Sequence, residues 1–192
     1  DVVKLLLDHS SDKNIDLNAK DRCGYTALMV ACIGGRKDIV KLLLNHSLTR
    51  NIDLNAKDDH RNTAFMHACK KEQNDIVKLL LDLSLDRNID LNTKDDFGFT
   101  AFMDACRKGR IGIVKLLLNH SKKNIDLNAR YICGETGETS FMKACIEGHY
   151  DVVKLLLDHS SDRKIDLNAK DSGGRTAFMD ACRGGHNDVV KL

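Results

Sequence analysis

The chain has 192 residues, 42% of them hydrophobic and 30% charged, with seven cysteines, no tryptophan and no proline. Its 30 Lys and Arg against 28 Asp and Glu leave a formal charge of +2, too little to draw nucleic acid or an anionic membrane by long-range field. No apolar run approaches the ~20 residues that span a bilayer, and apolar content near the globular average, recurring in register, argues against disorder.

Read from the N-terminus, Asp1-Val-Val-Lys-Leu-Leu-Leu-Asp-His-Ser returns unchanged at Asp151, and variants open at Asp38, Asp75, Gly112 and Asp188. The starts lie 37, 37, 37, 39 and 37 residues apart, the mark of a repeat architecture. Ile-Asp-Leu-Asn recurs at Ile15, Ile52, Ile89, Ile125 and Ile165, and Ala-x-Met-x-Ala-Cys at Ala27, Ala64, Ala101 and Ala177, with Ser140 opening the remaining copy. The chain therefore divides into a partial unit 1–17, units 18–54, 55–91, 92–127 and 128–167, and a unit 168–192 that stops inside its second helix. It is expected to be a single array, a window of a longer one.

Each unit predicts two short helices. Thr26 can N-cap the first, which runs to Ile33 and ends at Gly34-Gly35, where positive φ costs little. The second carries Asp38 in its first turn, then Ile39-Val40-Lys41-Leu42-Leu43-Leu44, apolar over more than one stripe. A helix pair this small cannot bury that surface alone, so neighbouring units must stack around a shared core. In unit 55–91, Arg61 and Glu72 stand where other units have Gly, so those two turns are expected to be strained, reshaped or loose.

The string Asn18-Ala-Lys-Asp21, Gly24, Thr26-Ala27-Leu28-Met29, Ala31-Cys32, Gly35, Asp38-Ile39-Val40 and Leu42-Leu43-Leu44 resembles the ankyrin repeat. The resemblance covers the chain five times over and implies an all-α ankyrin-type solenoid of helix-turn-helix units with projecting hairpin fingers. Two departures stand out. Thr-Ala-(Leu/Phe)-Met replaces the family's Thr-Pro-Leu-His, so Ala27, Ala64, Ala101, Ser140 and Ala177 account for the missing proline. Four extra residues follow the second helix, as in the stretch from His46 to Ile52.

Residues that carry chemistry elsewhere fit the repeat here. Cys32, Cys69, Cys106, Cys145 and Cys182 form one column. Packed helices lie ~8–10 Å apart, too far for a disulfide or a shared zinc ion, so the column reads as small buried hydrophobes in a reducing compartment. His9, His46, His120 and His159 end the second helices, where an imidazole can bond the last carbonyls. His67 lies on the variable face of its helix, but Cys69 points ~200° away from it, which disfavours a nucleophile–base pair. No catalytic, cofactor or metal site is expected. The segment Gly134-Glu-Thr-Gly-Glu-Thr lacks the strand and Lys-Ser/Thr of a phosphate loop. It instead lengthens the finger of unit 128–167, as a binding loop or as tolerated length variation.

In ankyrin proteins, ligands meet the finger tips and the exposed side of the first helix. Carried over position by position, that implies a partner surface of Tyr25, Val30, His67, Lys70, Lys71, Phe97, Phe99, Asp104, Arg107, Lys108, Tyr131, Ile132, Lys143 and Arg175. Phe97 and Phe99 are the expected anchors, since aromatics near Arg make binding hot spots. Phe65, Phe102, Phe141 and Phe178 share the core position of Leu28. The basic residues Lys70, Lys71, Arg107 and Lys108 suit an acidic partner segment, with Asp104 setting the local polarity. The reading is a non-catalytic protein–protein interaction scaffold, intracellular and most readily cytoplasmic, with no cofactor, nucleic acid or membrane partner. The alternative is an array that self-associates end to end through uncapped termini.

Overall fold

A computed structural model describes residues 2–9, 15–47, 49, 51–84, 86–120, 125–131 and 136–192, the His120 side chain excepted. It divides into two compact units, Asp1–Asp90 and Leu91–Leu192.

Unit one contains α1 (Val2–Asp8), α2 (Ala27–Ile33), α3 (Lys37–His46), α4 (Ala64–Lys70) and α5 (Asn74–Asp82). The first helices α2 and α4 pack together, and the second helices α1, α3 and α5 line up behind them. Unit two continues with α6 (Ala101–Arg107), α7 (Ile111–His120), α8 (Ser140–Ile146), α9 (Tyr150–Asp158), α10 (Ser160–Arg163), α11 (Ala177–Gly184) and α12 (Asn187–Val190). Here α6, α8 and α11 form the front row, with α7, α9 and α12 behind. Among the described residues there is no strand, only an isolated antiparallel bridge between Arg130 and Thr139, so the predicted fingers are turns.

The helix starts follow from the sequence. Thr26, Thr63, Thr100, Thr139 and Thr176 each accept the backbone N–H three residues on, for example Met103 N to Thr100 Oγ1 at 3.2 Å, satisfying one of the first-turn donors. Behind them the core fills by column: Leu28, Phe65, Phe102 and Phe141 are buried, as are Cys32, Cys69, Cys106 and Cys145. Burial pushes the Cys32 and Cys145 thiols up to about 12. The columns fail at α11, where Phe178 is 63% exposed and Cys182 is also exposed. Helix α11 packs chiefly against α8 and α12, which leaves that face uncovered.

The two non-glycine turn positions keep the turn's shape and carry its strain. Arg61 has φ 61° and Glu72 φ 54°, close to Gly24 at 78° and Gly35 at 65° in the preceding repeat. A side chain in this left-handed region costs about 1–2 kcal/mol, offset in part by the greater freedom of glycine in the unfolded chain. Glu72→Gly is therefore expected to stabilise the protein by about 0.5–1 kcal/mol, read as a higher urea midpoint with an unchanged denaturant slope.

The four extra residues have a partner of their own. Asn51, Asn88 and Lys164 all turn at φ between 50° and 52°. The carbonyl of each accepts the side-chain amide of the asparagine that opens the same unit, Asn18, Asn55 and Asn128 respectively, at 2.7–2.8 Å. The other end of each asparagine accepts a backbone N–H two residues further on, from Asp53, Asp90 and Asp166 at 2.8–2.9 Å. Asn92 accepts from Asp126 in the same way. The longer repeat is thus held in register by an asparagine ladder that uses both ends of each amide.

Candidate functional site

The fingers are built on an aspartate. Asp21, Asp58, Asp95 and Asp171 accept backbone N–H groups two to four residues on, as Asp95 does from Phe97 at 3.1 Å and Phe99 at 2.9 Å. This local closure fixes where the finger side chains point.

In unit one, Tyr25 is half-buried and packs edge-on against His67, with ring centroids 5.3 Å apart. Val30 is 55% exposed on α2. His67 is buried, not exposed on a partner surface as predicted, and its Nε2 meets Asp58 Oδ2 of its own finger at 2.8 Å. Burial would raise the Asp58 pKa, but the Asn62 backbone and the His67 and Asn62 side chains bond the carboxylate and hold it below 3.8. For His67, burial outweighs Asp58 and keeps its pKa under 6.5. Lys70 is also drawn inward, its ammonium on Asn62 Oδ1 at 2.5 Å. Lys71, the residue following α4, is exposed.

In unit two the two predicted aromatic anchors part company. Phe97 stands 60% exposed, whereas Phe99 is buried with Met103 and Ala129. Its ring stacks on Tyr131 at 4.3 Å and 20° between planes, and the Arg107 guanidinium lies 4.6 Å from the Phe99 ring centre. The expectation of an exposed Phe99 is thus corrected by stacking, in which Tyr131 and the Arg107 guanidinium cover the Phe99 ring.

The predicted charges are likewise engaged. Asp104 is buried and holds Arg107 at 2.8 Å and Arg110 at 2.5 Å. Burial would raise its pKa, but these two guanidiniums keep it below 3.8. Lys143 bonds Glu138 at 2.7 Å and lies 5.0 Å from the Tyr131 ring centre. Arg175 grips Asp171 through two nitrogens at 2.9 Å. Lys108 is exposed, and Ile132 lies outside the described residues. The expectation of Lys70 and Arg107 as open basic groups fails because each already serves a buried acceptor.

The lengthened finger is tied down where it is described. Arg130 bonds the carbonyls of Gly137 and Lys170 at 2.7 Å, and Ser172 N donates to Thr136 O at 2.9 Å. Sequence reasoning missed Glu138, Asp171 and the finger aspartates as the acids that organise this face. It also missed His149 and His186, which bond the carbonyls of Arg107 and Ile146 at 2.8–2.9 Å. Their signal was the position before the second helix, where a side chain can reach back to the preceding repeat. In the predicted helix-end column, His159 does bond Leu155 O at 2.9 Å.

Among the described residues no group of three or more His, Cys, Asp or Glu is placed to hold a metal ion, and no helix is long and apolar enough to cross a membrane. A cleft of about 700 Å³ opens in unit two near Asn119, Asp126, His159 and Arg163 and takes in none of the predicted site residues.

The family model for ankyrin repeats in three copies matches residues 1–95, 48–131 and 124–192. No curated protein matches the chain significantly. Ankyrin repeats are generally protein–protein interaction modules, and the family is typically non-catalytic. With the stacked helix pairs, the threonine caps and matches over its whole length, the chain belongs to the ankyrin-repeat family, as an all-α solenoid.

Proposed function

We propose that this protein is a non-catalytic scaffold that binds another protein through its finger tips and the outer side of its first helices. The observation that carries this is Phe97, a large aromatic side chain held 60% exposed by a finger whose aspartate bonds the backbone N–H groups around it. A rigid, presented aromatic is the side chain best suited to fill a partner pocket. Val30 and Lys71 in unit one and Lys108 in unit two are other exposed members of the predicted surface, and Tyr25 in unit one and Tyr131 in unit two are half-exposed. The buried Cys69 and the Asp58-bound His67 support the non-catalytic reading. Thiols on Cys23, Cys32, Cys106, Cys145 and Cys182, none of them in a disulfide, favour a reducing, intracellular compartment.

Affinity capture from the source organism's lysate, with the full chain and its Phe97→Ala variant side by side, tests the reading. A specific protein retained by the first and depleted at least tenfold by the second is expected, since an aromatic hot spot contributes about 2 kcal/mol or more. Unchanged capture by Phe97→Ala would contradict it.

A second reading, self-association, draws on exposed apolar residues: Val2, Leu5 and Leu6 on α1, and Phe178 and Met179 on α11. Light scattering separates the two, because self-association requires a mass that rises with concentration.

A further inference from the structure

We infer that the front row of unit two docks an extended acidic segment of the partner, with an acidic side chain at every third residue. The inference rests on the protein-binding reading and adds the chemistry of what is bound.

Each of the three repeats in this unit pairs a buried carboxylate with one or two bases that are less buried than it is. Asp104 stands behind Arg107 and Arg110, Glu138 behind Lys143, and Asp171 and Asp180 behind Arg175 and Arg183. The acids' side chains are 1–7% exposed and those of the bases 15–64%, so an approaching group meets cations first. Because the carboxylates fix these side chains beforehand, a ligand orders little when it binds. Asp180 differs from the other acids. Both of its oxygens are buried without a hydrogen bond among the described residues, and Arg183 is drawn to 3.3 Å by charge alone. The guanidinium fork of Arg183, with its side chain 64% exposed, is left to a ligand.

Spacing then selects the ligand. Helices α6, α8 and α11 pack side by side, and packed helices lie ~8–10 Å apart. An extended chain in the polyproline II conformation rises about 3.1 Å per residue with three residues per turn, so carboxylates on every third residue share one face and meet one repeat after another, and carboxylates on every second residue fall out of step. The bases exceed their carboxylates by a single charge, which gives little of the counterion release that drives nucleic-acid binding. Paired carboxylate–guanidinium geometry is what the row offers.

Fluorescence anisotropy on the full chain tests this with three labelled glycine-serine peptides, carrying aspartate at every third position, aspartate at every second, or asparagine at every third. The first is expected to bind about fivefold or more tightly than the others, to weaken with added salt, and to lose about fivefold on Arg183→Gln. That variant changes an exposed side chain, and its circular dichroism checks folding. Equal binding of the three peptides, indifference to Arg183→Gln, or tighter binding of a single-stranded oligonucleotide would overturn the inference. A protein captured through Phe97 that shows no preference for such acidic spacing would leave the protein-binding reading standing and remove this one.

Discussion

Phe102→Ala is expected to destabilise the protein by about 3–5 kcal/mol, and Phe178→Ala by less than about 1 kcal/mol, although both residues follow Thr-Ala at the start of a first helix. Phe102 is 2% exposed between packed elements, so truncation loses its burial and leaves a cavity. Phe178 is 63% exposed, and its loss opens no enclosed space. Urea unfolding of the two variants checks the contrast. Equal losses would mean that position within the repeat, and not the local packing of each helix, sets the contribution.

Asp104→Ala is expected to cost about 3 kcal/mol, because Arg107 and Arg110, with side chains 27% and 18% exposed, would keep their charges without the carboxylate that holds them. Asp104→Leu, which fills the space but not the charge, should cost as much, whereas a packing role would let leucine recover most of it. The same pair sets an acid response. The Asp104 pKa lies below 3.8 in the fold, so its contribution is fully present above that value and is lost as pH falls through the folded pKa. Asp58 behaves alike. His67, with a folded pKa under 6.5, favours the folded state fully above 6.5, and that contribution declines as pH falls toward its folded value. Stability measured against pH should therefore fall in two stages, and Asp104→Ala should flatten the more acidic one.

The helices, the threonine caps and the core columns were legible because each is a local rule repeated: Thr26 caps wherever it recurs, and Leu28 or phenylalanine fills the position two residues on. Strain at Arg61 and Glu72 was legible for the same reason, since glycine in the other units marked the positive φ. The partner surface was only half legible. A variable position says that a side chain is not dictated by the fold, but not whether it faces water. His67, Phe99, Asp104 and Arg107 vary among repeats and still found partners inward, in Asp58, Tyr131 and one another. Phe99 and Tyr131 belong to different repeats, whereas Asp58–His67 joins a finger to its own helix and Asp104–Arg107 lies within one helix, pairings that variation from unit to unit does not reveal. Phe97 differs because its finger aspartate bonds the backbone around it and the ring stays outside. The asparagine ladder was hidden likewise: Ile-Asp-Leu-Asn was visible as a phrase, while its role depends on the carbonyl of Asn51 or Asn88, 33 residues further along the chain.

Hydrogen exchange of the full chain, with and without the captured partner, tests the central claim most directly. Added protection is expected at finger residues 95–99 and along α6, with the backs of α7 and α9 unchanged. Protection confined to α7 and α9, with finger 95–99 exchanging as in the free protein, would contradict it.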